Sequence, residues 1–394
     1  MRRMMVRQPI DGRSRPRLVQ RARLRGAYDP EVVAVEVLFW MSLAALAWTH
    51  VLYPLSVELA ARLRPRRPRR GDGTPTVAVI VAAHDEESVI ERRVANLLGL
   101  DYPHEKLEIV VTSDASTDRT EELAAAAGAR VICNARGGKV AAQDRAVRET
   151  ESEIVAFSDA NATWAPETLR ALVAPFADPG VAYVCGQLRL EAADGSNREG
   201  VYWRYEMAVR AAESDLGSVT GGNGSVYAVR RSAYVEVDPR FGHDLSLPYL
   251  MVQHRKRAVY APAAVAFEKP TPSNETEYHR KVRMFEHCWL IVLRGKMLRR
   301  QPPGYLVALL SHRHLRYASG LLHLVLLAAS LALVTQGWFY DIVLAGQVAL
   351  LVAAAVGVGI ARYYVLVTWA TVVALWNYLR RGVPATWQPA EGTR

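Results

Sequence analysis

The chain is 394 residues long, 51% hydrophobic and 22% charged, and it carries a formal net charge of +10. This length leaves room for two domains, and the composition fits a protein that combines soluble and membrane-embedded parts. Arginine is concentrated at residues 2–25 and 62–70, each beside an apolar span, which indicates contact with a membrane surface and argues against nucleic acid as a partner. The three widely spaced cysteines form neither a zinc-binding spacing nor a disulfide framework, so we expect the middle of the chain to lie in the reducing cytosol.

The N-terminal part is predicted to be a basic tail followed by one membrane helix. Residues 1–30 are rich in arginine, and the apolar segment after them is too long for a signal peptide and lacks a cleavage pattern. Residues 31–63 suit a membrane-spanning helix, with a buried soluble helix as the alternative. The positive-inside rule would place both residues 2–25 and residues 62–70 in the cytosol. A single membrane crossing puts them on opposite sides, and we place residues 62–70 in the cytosol.

Residues 74–286 alternate between strand and helix patterns, which is typical of an α/β domain with a largely parallel sheet. Apolar spacing predicts a helix over residues 86–98, a second that starts near residue 117, and a third that opens at Lys139. Five strands are predicted, over residues 77–83, 107–113, 130–133, 153–158 and 181–188.

The C-terminal part is predicted to return to the membrane. Residues 287–312 are amphipathic and basic, which favours helices lying on the membrane interface, with a packed core as the alternative. Residues 313–380 hold three apolar spans, at 317–335, 341–361 and 363–379, with a tight cytosolic turn expected near Arg362. Residues 381–394 form a short tail.

The strand predicted over residues 153–158 is followed directly by polar side chains. Parallel sheets bind ligands at the carboxyl ends of their strands, which is where Asp159 falls. Asp159 and Asn161 lie two positions apart, so in an extended segment they point the same way and could share one hard cation. An Asx turn or a helix cap is the alternative interpretation.

Two earlier strands end in acidic residues at the same predicted edge. Asp114 could accept a hydrogen bond from a base or a ribose hydroxyl, and Glu86 could reach a ribose hydroxyl. Asp118 is predicted to cap a helix instead. Lys139, after two glycines, could offer its charge to a phosphate or a base, although the segment is not a Walker loop.

Three further segments could contribute to a site. The glycine-rich residues 221–225 allow close approach of backbone to a ligand, or form a flexible turn. Asp244 could be a general base that deprotonates an attacking hydroxyl. Arg280 and Arg283 share one helical face and could bind a leaving diphosphate, with a solvated or lipid-facing basic surface as the alternative.

Together these segments resemble the membrane-bound family 2 glycosyltransferases, which have the GT-A fold. Residues 82–87 approximate that family's Pro-Ala-Tyr-Asn-Glu-Glu motif, and residues 113–118 match Asp-Asp-Gly-Ser-Thr-Asp. The Asp-x-Asp metal motif falls on residues 159–161, the Gly-Gly-Asn-Gly segment on 221–224, and the catalytic acid pair on 243–244. Residues 311–316 are similar to the Ser-His-Lys-x-x-Arg entry to the C-terminal helices of these enzymes.

This chain departs from the family's pattern at several positions. Ser113 and Asn161 each stand where the family has an acid, and His243 stands before the expected base. Residues 280–284 lack the tryptophan of the Gln-x-x-Arg-Trp motif in processive synthases, so the resemblance does not favour processive synthesis.

The resemblance implies an integral membrane, inverting glycosyltransferase with a cytosolic GT-A domain. It implies a nucleotide-diphosphate sugar as donor, Mg²⁺ or Mn²⁺ as cofactor, and a lipid-linked or glycan acceptor in a cell-envelope or exopolysaccharide pathway. It also leaves room for polysaccharide-export partners. A processive polysaccharide synthase and a catalytically silent nucleotide-sugar-binding subunit stay open as alternatives. The implied catalytic residue is Asp244, the implied metal ligands are Asp159 and Asn161, and the implied substrate-binding residues are Ala83, Glu86, Asp114, Lys139, Gly222, Asn223, Arg280 and Arg283.

Overall fold

The computed structural model describes residues 30–190, 201–270 and 273–386. Its strands are β1 Val77–Ala83, β2 Leu107–Asp114, β3 Arg130–Asn134, β4 Ile154–Asp159, β5 Thr163–Trp164, β6 Val181–Leu190, β7 Tyr227–Arg230 and β8 Arg257–Glu268. Its helices are α1 Pro30–Leu63, α2 Ile90–Leu98, α3 Thr120–Ala126, α4 Lys139–Arg148, α5 Thr168–Ala177, α6 Val201–Leu216, α7 His243–Gln253, α8 Asn274–Arg294, α9 Pro303–Ala332, α10 Trp338–Ala355 and α11 Gly359–Arg381.

The eight strands form one mixed sheet in the order β3-β2-β1-β4-β7-β6-β8-β5. β1, β2, β3 and β4 are parallel, and β7 joins the sheet antiparallel to both β4 and β6. The register pairs Ala82 with Asp159 and Ala83 with Ser113, so β1, β2 and β4 end at the same edge. The parallel half of the sheet therefore brings the strand ends that carry the predicted site residues to one edge.

The core lies on both faces of this sheet. Alternate residues of a strand point to opposite faces, so Val79 packs in one cluster with α2 and α5, while Ile80 packs in another with α4 and α7. β1 is buried along its whole length, which explains its unbroken apolar sequence. The sheet is thus covered by helices on both sides, as a doubly covered α/β domain requires.

The predicted α/β GT-A fold is confirmed, with differences in its second half. The five predicted strands are present, but β5, β7 and β8 were missed. β5 has two residues and β7 four, too short for a periodic signal, and the apolar part of β8 is interrupted by a proline. The first predicted helix begins at Ile90 rather than at residue 86, because residues 87–89 form a turn and Val89 has a φ of −131°, outside the helical range.

Among the described residues, four helices are long and apolar enough to cross a membrane: α1, α9, α10 and α11. This agrees with one N-terminal and three C-terminal predicted spans. α1 contains a π-helical segment at Trp48–Leu52 and α9 another at Leu309–His314, and the two segments face each other, since Thr49 Oγ1 donates to the Ser311 carbonyl at 2.6 Å.

Two details of the C-terminal prediction differ from the structure. The predicted boundaries at 286/287 and 312/313 fall inside α8 and α9, and the buried Trp289, which donates to the Thr371 carbonyl at 2.9 Å, places the middle of α8 in a packed core instead of on an open interface. The break between the last two spans lies at residues 356–358, not at Arg362, because α11 already begins at Gly359. Of the predicted tails at residues 1–30 and 381–394, residues 1–29 and 387–394 lie outside the described residues.

Candidate functional site

Asp114, at the end of β2, is buried and organises the loop before α4. Its carboxylate accepts hydrogen bonds from the Gly137 amide at 2.7 Å and the Gly138 amide at 3.0 Å, and pairs with Arg136 at 2.9 Å. Gly138 has a φ of +94°, and a Cβ there would lie 2.2 Å from the carbonyl oxygen of Ala385. Asp114 thus fixes the glycine loop in a conformation that only glycine adopts easily, with the C-terminal segment packed on it.

Asp159, at the end of β4, is the centre of a polar cluster. Its carboxylate pairs with Lys139 Nζ and accepts from Ser225 Oγ at 3.0 Å. The same Ser225 hydroxyl contacts the Glu268 carboxylate, so Ser225 bridges the acids that end β4 and β8. Burial acts to lower the pKa of Lys139, but the adjacent Asp159 raises it above its ordinary value, so the lysine is held charged. We call Asp159, Ser225 and Glu268 the acid cluster.

A buried arginine lies behind the acid cluster. Arg93 of α2 is 2% exposed, donates to Ser158 Oγ at 2.6 Å, and lies 5.1 Å from the centre of the Trp164 ring. Burial lowers the pKa of Arg93 to about 9, against the opposing charges of Asp159 and Glu268. Burial and the charge of Asp159 raise the pKa of Glu268 in turn. The carboxylates of Asp159 and Glu268 therefore lie close together, with the positive charge of Arg93 on the side that faces the core.

The acid cluster suits a hard divalent cation. Carboxylate and hydroxyl oxygens are the ligands that Mg²⁺ and Mn²⁺ prefer. Asn161 lies half-buried in the turn that follows β4, two residues from Asp159. No group of three or more His, Cys, Asp or Glu side chains in the described residues is arranged to hold a metal ion. A cation here would therefore need further oxygens from a diphosphate or water, which is the usual manner of Mg²⁺ binding.

The glycine-rich segment carries the second half of the site. The Gly222 amide donates to the Asp244 carbonyl at 2.6 Å, and Arg210 donates to the Gly222 carbonyl at 3.0 Å. A Cβ on Gly222 would lie 1.9 Å from the buried hydroxyl of Tyr183, so this position requires glycine for space. Asn223 is 8% exposed, and its Nδ2 has no hydrogen-bond partner among the described residues. A buried, unsatisfied donor of this kind points to a ligand.

Asp244 begins α7 and has a different environment from its neighbour His243. In the part of the chain that the structure describes, the half-buried Asp244 carboxylate has no hydrogen bond to another side chain and no ion pair. His243 is buried, with Nδ1 2.8 Å from the Tyr227 hydroxyl and Nε2 3.3 Å from that of Tyr234. Burial and the charge of Lys139 lower the pKa of His243 to about 3, so it is a neutral core residue and not a second acid.

The remaining predicted residues lie around these two halves. Ala83 and Glu86 are buried at the end of β1 and in the turn after it. Arg280 of α8 donates to Glu277 at 2.8 and 2.9 Å and lies within electrostatic range of Glu268. Arg283 is half-buried one turn further along the helix. The register brings the ends of β1, β2 and β4 to one edge of the sheet, where the Asp114 carboxylate accepts hydrogen bonds from the amides of the glycine loop. Asp118 lies one position before the N-cap of α3, which is Arg119, and its Oδ1 accepts from the Thr120 amide at 2.9 Å in an Asx turn.

Sequence reasoning missed Glu268, Ser225 and Arg93. Glu268 follows an apolar stretch, the same signal that singled out Asp159, but β8 was not predicted as a strand. Arg93 lies in a helix whose apolar spacing was recognised, and nothing in that pattern distinguishes a buried arginine from a solvated one.

Comparison with known proteins agrees with this arrangement. Residues 78–237 match the model of the family described as Glycosyl transferase family 2. A beta-monoglucosyldiacylglycerol synthase from Nostoc sp. is 29% identical over 220 residues, which cover 51% of this chain and 46% of that protein. An N-acetylglucosaminyltransferase from Azorhizobium caulinodans is 30% identical over 217 residues, which cover 49% of this chain and 54% of that protein. The chain therefore spans about half the length of these curated relatives.

A solved structure matches more of the chain. The mannosyltransferase from Pyrobaculum calidifontis, in complex with GDP-Man and Mn²⁺, aligns with a TM-score of 0.68 over 87% of this chain and 99% of its own, at 23% identity. At that identity the likeness shows the fold. Residues 78–237, the segment that carries Asp114, Asp159 and Asn223, therefore match glycosyltransferase family 2, and the chain has a GT-A fold.

Proposed function

We propose that the protein is a membrane-bound, inverting glycosyltransferase of the hexosyltransferase type. It takes a sugar from a nucleotide-diphosphate donor and transfers it to a lipid-linked or polysaccharide acceptor. The observation that carries the proposal is the position of Lys139, which pairs with Asp159 and lies within electrostatic range of Asp244. A candidate cation ligand and a candidate base therefore flank one lysine.

Asp244 is proposed as the general base. It takes the proton of an acceptor hydroxyl while the hydroxyl oxygen attacks the anomeric carbon, and the bond from that carbon to the diphosphate breaks on the opposite side. One displacement of this kind inverts the anomeric centre and needs no second carboxylate nucleophile. The absence of an ion pair to Asp244 among the described residues leaves its oxygens available for this proton.

The departing nucleoside diphosphate carries negative charge, and several groups are proposed to stabilise it. Lys139, Arg280 and Arg283 supply positive charge on the protein side. Asp159, Asn161 and Glu268 are the proposed ligands of a divalent cation, Mg²⁺ or Mn²⁺, which when bound would stabilise the leaving diphosphate as a Lewis acid. Glu268 supplies a second carboxylate where Asn161 stands in place of the family's acid. Ala83, Glu86, Asp114, Gly222 and Asn223 are proposed to bind the nucleoside and the sugar.

The apolar helices support a location of this chemistry at a bilayer. We propose a multi-pass protein of the inner cell membrane whose domain, residues 74–286, lies in the cytosol, where nucleotide sugars are made. Four apolar helices and the basic residues 62–70 beside α1 support this orientation. The names of the curated relatives support a lipid or glycan acceptor, and export partners would be needed only for a polysaccharide product.

The first test is hydrolysis of a panel of UDP- and GDP-sugars by the full-length protein in detergent, with Mn²⁺ or Mg²⁺. We expect release of nucleoside diphosphate from one donor, lost in Asp159→Ala. With an acceptor present, Asp244→Asn should lower transfer by about 10² to 10⁴-fold, the range for loss of a general base, with donor binding retained. Donor binding without turnover would favour the silent subunit, and long polymer in the product would favour the processive synthase.

A further inference from the structure

Four tyrosines and one arginine lie together where α6 meets the membrane helices. The ring of Tyr202 lies 5.6 Å from that of Tyr363 and 6.3 Å from that of Tyr205. Arg316 of α9 stacks 5.3 Å from the Tyr205 ring and donates to its hydroxyl at 3.0 Å. Tyr364 follows Tyr363 on α11. We call Tyr202, Tyr205, Arg316, Tyr363 and Tyr364 the tyrosine patch.

The polar side of this patch continues between the apolar helices. The Tyr364 hydroxyl lies 2.8 Å from Nε2 of His323 and 3.4 Å from Nε2 of His50, which belong to α9 and α1. Arg316 also donates to the Thr49 carbonyl of α1 at 3.3 Å. Ionisable side chains inside apolar helices are costly, and in membrane proteins they commonly line a substrate path. A belt of interfacial tyrosines facing lipid would not require these inward partners.

The patch is continuous with the candidate site. α8, which carries Arg280, packs against α11, which carries Tyr363: Trp289 donates to the Thr371 carbonyl at 2.9 Å, and Val282 and Phe285 share one core cluster with Ala370. Tyr363 is half-buried, and among the described residues its hydroxyl makes no hydrogen bond. The tyrosine patch therefore extends from the membrane helices to the residues proposed to hold the diphosphate.

The one cation of the tyrosine patch is already paired. Arg316 forms an ion pair with Glu206. A phosphate bound at the patch would have to compete with this carboxylate for the arginine. Tyrosine rings and hydroxyls, in contrast, provide apolar faces and hydrogen bonds without a net charge. This combination suits a neutral headgroup that bears a hydroxyl.

We infer that the tyrosine patch binds the headgroup of a neutral, hydroxyl-bearing membrane lipid and presents that hydroxyl to Asp244 as the acceptor. The inference rests on the proposed function and narrows it, because it selects a neutral lipid over a phosphate-bearing lipid or a soluble glycan. Tyr202 and Tyr363 line the path and position the acceptor. They do not take part in proton transfer.

The test uses full-length protein in phosphatidylcholine nanodiscs with dioleoylglycerol as the acceptor probe. We expect dioleoylglycerol to be glycosylated in preference to phosphatidic acid, a polyprenyl phosphate or a soluble oligosaccharide. Tyr202→Ala and Tyr363→Ala should each raise the apparent KM for dioleoylglycerol about fivefold or more, as expected for a lost aromatic contact, with the donor KM unchanged. Trp376→Ala, on the same helix as Tyr363 but 58% exposed, is the matched control and should change neither constant.

Two results would overturn the inference. One is preferential transfer to a phosphate-bearing lipid or to the oligosaccharide, and the other is an unchanged KM for dioleoylglycerol in both tyrosine variants. A photoactivatable diacylglycerol measures the same binding without a donor: it should label the peptides that contain Tyr202 and Tyr363, and excess dioleoylglycerol should compete with it. Labelling of other peptides would contradict the inference even if no donor were turned over. Donor turnover without this labelling and without the KM changes would contradict the inference but leave the proposed function intact.

Discussion

The two halves of the candidate site are held in different ways. In the half proposed to bind the donor, Asp114 is bound by residues 22 to 24 positions further along the chain, inside the segment that matches the family. In the half proposed to bind the acceptor, the segment that leads into Gly222 depends on Glu213, which contacts residues 99 and 160 positions away in α9 and α1. The hydrogen bonds of Asp114 are therefore made within the domain, whereas the second half also depends on the apolar helices.

Glu213 shows how the membrane helices reach the site. Its buried carboxylate accepts from the Tyr53 hydroxyl at 2.7 Å, from the Thr220 amide at 3.1 Å, and contacts His312 Nδ1 at 2.7 Å. One side chain thus joins α1, α9 and the glycine-rich segment. Because the two halves depend on different contacts, we expect mutations to change nucleotide affinity and acceptor affinity separately.

The largest expected effect is the loss of Glu213. Removing one partner of a buried charged network leaves the others unsatisfied, so Glu213→Ala should destabilise the full chain by about 3 to 5 kcal/mol. It should also impair acceptor use more than donor binding. Thermal unfolding in detergent, together with donor titration, would measure both.

The matched control for Glu213 is Glu236, an acid paired with Arg148 whose side chain is 54% exposed. Glu236→Ala should cost less than about 1 kcal/mol, as for other exposed ion pairs. Equal losses of stability in the two variants would contradict the view that Glu213 is a central tether.

A second prediction concerns the space beside Gly222. Gly222→Ala should destabilise the acceptor half by about 1 to 3 kcal/mol, because the new methyl group collides with the Tyr183 hydroxyl. That hydroxyl has no hydrogen-bond partner among the described residues, so Tyr183→Phe should be tolerated and should partly restore Gly222→Ala. Unfolding temperatures of the two single variants and the double variant test this. Failure of the double variant to recover would mean that Gly222 is needed for another reason.

A third prediction sharpens the role of the acid cluster. If Glu268 is a cation ligand, Glu268→Gln should raise the Mn²⁺ concentration needed for donor hydrolysis about tenfold or more. The exposed Glu236→Gln is again the control. Unchanged metal dependence with altered stability would instead make Glu268 a structural acid.

The smallest expected effect is a pair of opposing pH dependences beside α4. Burial and the charge of Lys139 lower the pKa of His243 from 6.5 to about 3. Between these pH values the imidazole is protonated in the unfolded chain and neutral in the folded chain, so the free energy of unfolding decreases as pH falls. Burial raises the pKa of Asp144 from 3.8 to about 6, so there the folded chain keeps a proton that the unfolded chain releases, and stability falls as pH rises. Each slope is at most about 1.4 kcal/mol per pH unit.

These slopes oppose each other between pH 4 and 6, and mutation should separate them. Asp144→Asn should make the unfolding temperature rise with pH across this range, and His243→Gln should make it fall, with the native chain between the two. Parallel profiles for both variants would show that these groups do not control the dependence.

The elements that were predicted well are those whose signal is local. β1 and β4 are unbroken apolar stretches buried on both faces, and the acids that follow them mark the sheet edge. The apolar helices can be predicted from the length and hydropathy of their segments. The short β7 and the two-residue β5 have no such signal, because they exist only through pairing with strands that lie far away in sequence.

The sequence by itself determined the α/β fold, the apolar helices, and the order of Asp114, Asp159 and Asp244 along the chain, since each of these depends on a run of neighbouring residues. Only the tertiary structure decided that Glu268 joins Asp159 through Ser225, that His243 is a neutral core residue, and that Glu213 ties the membrane helices to the glycine-rich segment. The physical reason is that the protonation and partners of a buried polar side chain depend on distant residues that folding brings within hydrogen-bond range.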